Sequence, residues 1–90
     1  MALNDAGEVD ATLRATLTDV LGLHHDRVAA FSSTTPLFGA LPEFDSMAVA
    51  GVLTQLEERL GVLIEDDEVD AELFGTYGKL LAYAERKALG

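Results

Sequence analysis

A chain of 90 residues can build one small core and is too short for two. Hydrophobic residues make up 49% of it, which argues for a folded globule and against disorder, and the lack of cysteine excludes disulfides, thiolate catalysis and Cys-based zinc sites. The formal net charge of −10 should repel nucleic acid and anionic lipid, since cations displacing counterions drive binding to both.

The same acidity favours partners with basic docking surfaces, or simply keeps a monomer dispersed. No apolar run approaches the length of a membrane span, and the N-terminus lacks the basic-then-apolar pattern of a signal peptide. The expectation is a cytoplasmic monomer with no membrane insertion, held together by helix packing alone.

Residues 1–7 carry little pattern and are expected to form a flexible N-terminus, followed by a single domain over 8–90. Asp5 with Glu8 resembles a capping box, with Asp in place of Ser or Thr. Val9, Leu13, Leu17, Val20 and Leu21 then keep helical spacing, and Gly22 supplies the stop. Asp10, Thr12, Arg14, Thr16 and Asp19 fall mostly on the opposite, wetted face. This is a first amphipathic helix.

A long connection runs from Leu23 to Asp45, and a loop of that length has a function or contains a short element. His25 to Phe31 can form a helical turn or two, whereas Ser32-Ser33-Thr34-Thr35-Pro36 reads as irregular chain. Leu23, Val28, Phe31, Leu37, Phe38, Leu41 and Phe44 punctuate it, and several should pin it onto the helices.

The central helix starts at Asp45-Ser46, where either side-chain oxygen can cap the first turn. Val49, Val52, Leu53, Leu56 and Leu60 form its apolar stripe, and Gly61 is placed to close it. The short run Val62-Leu63-Ile64 should cross in extended form. Glu65-Asp66-Asp67-Glu68 suits a helix N-terminus, with Val69 and Leu73 fitting a short third helix broken at Gly75. Thr76 can cap a last helix in which Tyr77, Leu80, Leu81, Ala84 and Ala88 share a face, with Arg86 and Lys87 near its negative end. The fold class is all-α: a four-helix bundle of three main helices plus one short helix, with a long first loop.

Catalytic readings fail one by one. Ser46 lies in no Gly-x-Ser-x-Gly elbow, and nothing places His24 or His25 beside it as a base. A metal site from His24, His25 and Asp26 lacks support, because adjacent side chains diverge. Asp66, Glu68 and Asp70 resemble the opening of a calcium loop, but its glycine and closing glutamate are missing. No metal site and no enzyme are expected.

The ordered set Leu37-Phe38-Gly39-Ala40-Leu41-Pro42-Glu43-Phe44-Asp45-Ser46-Met47, Leu56-Glu57-Glu58-Arg59-Leu60 and Ile64-Glu65-Asp66-Asp67-Glu68 resembles the acyl carrier protein family. Phe74-Gly75-Thr76-Tyr77 and Leu80-Leu81-Ala82-Tyr83 look like that family's entry to its last helix, so the resemblance spans about residues 8 to 89. It implies an acyl-carrier-like bundle in which Ser46, preceded by Asp45, carries covalent phosphopantetheine. A phosphopantetheinyl transferase would install the arm from coenzyme A. Its thiol would hold an acyl group as a thioester, which also accounts for a chain without cysteine.

The resemblance further implies an acyl cavity among Val52, Leu56, Ile64, Val69, Phe74 and Leu80. Winding the central helix at about 100° per residue places Met47, Gly51, Thr54, Gln55 and Glu58 on an outward strip, with Glu57 beside its far end. Met47, Gly51, Thr54, Glu57 and Glu58 are therefore the expected partner-docking residues. The partners expected there are an acyl-activating ligase, acyltransferase or synthase with a basic surface. Fatty-acid carriers usually have acids early in this helix, where this chain reads Ala48-Val49-Ala50-Gly51. That departure, with Pro42-Glu43-Phe44 ahead of Asp-Ser, points to a specialised pathway. The form is similar to aminoacyl carriers, including the D-alanyl type, and to a bacterial carrier subfamily associated with surface-polysaccharide and protein-sorting clusters. Three other readings stay open: an aminoacyl or peptidyl carrier, an acidic interaction module without a covalent arm, and a small domain with an apolar ligand cavity.

Overall fold

The computed structural model describes residues 5–90, and all its regular elements are helical: α1 (Ala6–Leu21), α2 (His25–Ala29), α3 (Ser46–Leu60) and α4 (Tyr77–Leu89). Two 3-10 turns, Asp66–Glu68 and Ala71–Phe74, stand between α3 and α4. The flexible segment expected over residues 1–7 lies outside the described residues as far as residue 4. Helix α1 begins at Ala6, two residues ahead of the expected boundary.

The helix ends follow the sequence signals. The Asp5 carboxylate accepts from the Glu8 amide at 2.8 Å, and Gly22 closes α1 in the left-handed conformation at φ 67°. Gly61 closes α3 in the same way, and the Thr76 hydroxyl accepts from the Lys79 amide to open α4. Between α3 and α4 the chain departs from the expected short helix. Its acids cap 3-10 turns instead, Glu68 accepting from the Glu65 amide and Asp70 from the Leu73 amide. The short α-helix of the bundle is α2, in the first connection.

Leu13, Leu17, Val52, Leu56, Phe74, Tyr77 and Leu80 are almost wholly buried and form one core with Val28, Leu37 and Phe44. The long connection is therefore fastened down through its own apolar residues, as expected, with Leu23 and Phe31 also buried. Backbone pairing fastens it further. The Leu37 and Phe38 amides donate to the carbonyls of Gly75 and Phe74, and the Tyr77 and Gly78 amides donate to Thr35 and Ser33. The stretch read as irregular chain is thus pinned to the start of α4.

Gly78 permits that approach. A Cβ there would lie 2.5 Å from the Ser33 carbonyl oxygen. Gly78→Ala should therefore destabilise the domain by about 1–3 kcal/mol, although alanine favours a helix, because the neighbour is backbone and cannot rotate away. Urea denaturation of the two proteins checks the sign.

Two polar residues of α1 sit deeper than the pattern suggests. Thr16, expected on the wetted face, is fully buried; its hydroxyl donates to the Thr12 carbonyl, so the polar group is satisfied within the helix. Arg14 is only 27% exposed at its side chain and bonds three carbonyls at and just past the end of α2: Val28 at 2.7 Å, Ala29 at 3.3 Å and Phe31 at 3.1 Å. It also pairs with Asp10 at 2.9 Å and stacks over the Tyr77 ring, whose hydroxyl donates to the same Asp10 carboxylate. One side chain thereby ties α2 and its following loop to α1 and α4. Arg14→Ala should cost about 2–4 kcal/mol, because the half-buried carbonyls lose a charged donor. Arg14→Lys should recover little of it, since an ammonium cannot span the three acceptors and stack at once. Thermal unfolding of both variants measures the difference.

Candidate functional site

The Asp45 carboxylate accepts from the Ala48 amide at 2.8 Å, so Asp45 is the N-cap of α3 and Ser46 its first helical residue. The two alternatives for the cap thus resolve to Asp45, and the exposed Ser46 hydroxyl has no capping duty. Helix geometry leaves the amides of Ser46 and Met47 without acceptors inside the helix, at the positive end of its dipole. An anionic group attached to Ser46 meets these donors, and after the Asp45 cap the first turn carries no acidic side chain.

The approach to Ser46 is held from the α2 side. Arg27 donates to the Glu43 carboxylate at 3.1 Å, and Phe44 is buried against Phe74 with ring centroids 5.6 Å apart. The backbone hydrogen bond of Glu43 and then its Arg27 partner hold that carboxyl below the usual glutamate range, against a desolvation that raises it. An ion pair and a buried ring therefore fix the residues immediately before Asp45-Ser46.

A cleft of about 290 Å³ opens beside Ser46, walled by Phe38, Val49, Val69, Asp70, Ala71 and Phe74. A second cleft of about 220 Å³ lies farther along α3, between Ala50, Leu53, Thr54 and Glu57 on the helix and Ile64 and Val69 opposite. Of the expected cavity residues, Val69 and Phe74 line the first cleft and Ile64 the second. Val52, Leu56 and Leu80 line neither: they are 0–1% exposed and packed in the core. The six residues expected around one cavity are thus divided between two open clefts on the α3 surface and the packed core. Phe38, Val49 and Ala71, which come from three separate segments, were not among the residues expected there.

The residues of the expected docking strip are divided as well. A Cβ on Gly51 would stand 3.1 Å from Val20 Cγ1, so Gly51 faces α1 and lets the two helices come close. Gln55 and Arg59 continue that line: Arg59 bonds Gln55, and across the interface Asp19 and Thr16. Alanine at Gly51 would crowd Val20, which offsets the helix propensity that alanine has over glycine. The Glu57 carboxylate is half-buried and accepts from the Ile64 amide at 2.9 Å, holding the chain after α3. That carboxylate is a structural acceptor within the domain. The open side of α3 carries Met47, 84% exposed, with Ala50, Thr54 and Glu58.

Among the described residues, no group of three or more His, Asp or Glu side chains is placed to hold a metal ion. His24 caps α2 through Nδ1, which accepts from the Asp26 amide.

The family model for the phosphopantetheine attachment site matches residues 11–84, most of the chain. The chain belongs to the acyl carrier protein family. A holo acyl carrier protein from Nitrosomonas europaea, determined in solution by NMR, is 40% identical to it. That similarity covers 87% of this chain and 92% of the other, with a TM-score of 0.77. No match was found among curated proteins. The domain is a non-catalytic carrier with covalently attached phosphopantetheine, a group that supplies a thiol able to hold an acyl cargo. What the chain around Ser46 offers fits that group: an exposed hydroxyl, free first-turn amides for a phosphodiester, and an apolar cleft alongside.

Proposed function

We propose that Ser46 is the attachment residue and that the domain presents an acyl group to enzymes of a specialised biosynthetic pathway. The observation that carries the reading is the position of Ser46. It is the first residue of α3, exposed, relieved of capping by Asp45 and set on the edge of an apolar cleft. In the loading step a phosphopantetheinyl transferase joins Ser46 Oγ to the phosphorus of coenzyme A that bears the pantetheine. The pyrophosphate bond breaks, the nucleotide half leaves, and the hydroxyl proton passes to the transferase or solvent.

Charge supports enzymes with basic surfaces as partners. All six Lys and Arg side chains are engaged within the domain: five face carboxylates, and Arg86 lies over the Tyr83 ring. The excess of acid is therefore what a partner meets. The docking face we assign is Met47, Ala50, Thr54 and Glu58. It is apolar and neutral next to Ser46 and acidic only at its far end, unlike the early acids of fatty-acid carriers. Gly51 and Glu57 are left out, being spent on α1 and on Ile64. A cytoplasmic, monomeric carrier served by an acyl-activating ligase, acyltransferase or synthase completes the proposal. Among the described residues, no helix is long and apolar enough to cross a membrane.

Intact mass spectrometry after incubation of the apo protein with coenzyme A and a broad-specificity phosphopantetheinyl transferase tests it. The expected result is the gain of one phosphopantetheine per chain. An unchanged mass would overturn the assignment.

A further inference from the structure

Three acidic residues stand close to Ser46: Glu43 and Asp45 just ahead of it in the chain, and Asp70 in the wall of the adjacent cleft. The Asp45 carboxylate accepts the Ala48 amide at the positive end of the α3 dipole, and the Asp70 carboxylate accepts the Leu73 amide. Of the three, Glu43 alone faces a cation, Arg27 of α2 at 3.1 Å. Toward the far end of α3 the pattern reverses. Glu58, Glu65 and Asp67 are exposed, and among the described residues no cation pairs with them.

Stability does not account for the Arg27–Glu43 pair. The two side chains are 46% and 36% exposed, and exposed pairs add little to folding. Yet the backbone on both sides of the pair is firmly held. Val28, next to Arg27, is buried in the core, and Arg14 of α1 bonds the carbonyls of Val28, Ala29 and Phe31. Glu43 adjoins Phe44, whose buried ring packs on Phe74. Two anchored segments thus bring opposite charges together three residues before Ser46, a span of at most about 11 Å. An enzyme that takes Ser46 into its active site must cover that ground.

Resting on the assignment of Ser46 as the attachment residue and on partners with basic surfaces, we infer that Arg27 is a specificity-determining residue that masks the charge of Glu43. With Glu43 neutralised, a cationic surface gains nothing by approaching Ser46 from the α2 side. A partner must use apolar contacts there, with the exposed Met47 and Phe38, and find its charge pairs at Glu58 and beyond. An enzyme whose cations crowd its active-site mouth meets Arg27 and is repelled. One arginine therefore separates partners that share a basic surface but differ in where the charge lies.

The experiment titrates the domain, carrying Ser46→Ala so that no transfer occurs, with a broad-specificity phosphopantetheinyl transferase of basic surface in a calorimeter. Arg27→Gln, Glu43→Gln and the double variant are compared with the parent. At about 0.01 M salt, where the Debye length is about 30 Å, Arg27→Gln should tighten binding about two- to fivefold by uncovering the Glu43 charge. Glu43→Gln should weaken it by a similar factor, since Arg27 is then unopposed, and the double variant should bind like the parent. At about 1 M salt, with a Debye length of about 3 Å, all four should converge. A pair that merely props up the approach to Ser46 gives another pattern, in which both single variants bind more weakly and salt does not restore them. That pattern, or equal binding by Arg27→Gln and the parent at low salt, overturns the inference. Attachment is followed separately by intact mass on the same proteins with Ser46 present. If none of them gains an arm, the parent included, the attachment assignment falls, and the inference built on it falls with it.

Discussion

Ser46→Ala should abolish phosphopantetheine attachment completely while leaving the unfolding free energy within about 0.5 kcal/mol of the parent. The two halves of this expectation have separate causes. Attachment needs an oxygen nucleophile at the start of α3, and alanine supplies none. Stability should hold because the cap belongs to Asp45, whose carboxylate accepts the Ala48 amide, and because alanine is a good residue in the first helical turn. Asp45→Ala provides the contrast, with an expected cost of about 1 kcal/mol through the lost cap. Intact mass after transferase treatment and urea denaturation of the same samples give both quantities. If Ser46→Ala were strongly destabilised, the division of labour between Asp45 and Ser46 would be wrong.

Leu56→Ala should be the most damaging of the core substitutions on α3, costing about 2–5 kcal/mol. Leu56 is 1% exposed and belongs to the core that joins α1, α3 and α4, so its loss leaves a cavity rather than a surface that water can fill. A domain of this size has a stability of only roughly 5–13 kcal/mol, at about 0.05–0.15 kcal/mol per residue. With about 4–8 °C of melting temperature per kcal/mol, the drop should be at least roughly 8 °C. Leu53→Ala on the same helix is the control: Leu53 is half-buried at the second cleft, and its loss should cost less. Scanning calorimetry of the three proteins tests the order. Equal melting temperatures for Leu53→Ala and Leu56→Ala would contradict the packing described for α3.

The three long helices were legible in the sequence because each carries a repeated apolar spacing between a capping residue and a stop. Asp5 to Gly22 and Asp45 to Gly61 mark two of them from both ends. The segment between α3 and α4 was not legible. Each 3-10 turn there has three or four residues, too few for a period to show, and Asp70 caps a turn with the same chemistry that would cap a helix. Burial of polar residues was also misread where a hidden partner satisfies them. Thr16 is buried because Thr12 of its own helix accepts its hydroxyl, and Glu57 is held by an amide seven residues ahead. Gly51 misled for a different reason. The apolar stripe of a helix shows where its main neighbour lies, but a glycine beside the stripe can admit a second close contact, here from Val20.

The candidate site divides along the same line. Ser46 stood out because its motif is contiguous and opens a periodic helix. The clefts beside it could not be read, since Phe38, Val49, Val69 and Ala71 come together only after the first connection folds back on Phe74.

The most direct test of the account is to locate the modification itself. Holo protein, made with coenzyme A and the transferase, is digested, and the peptide containing Ser46 is fragmented to place the phosphopantetheine on one residue. The account predicts that it resides wholly on Ser46, with Ser32, Ser33 and the neighbouring threonines unmodified. Phosphopantetheine on any other residue, or a fully unmodified Ser46 peptide from protein that has gained the mass, would contradict it.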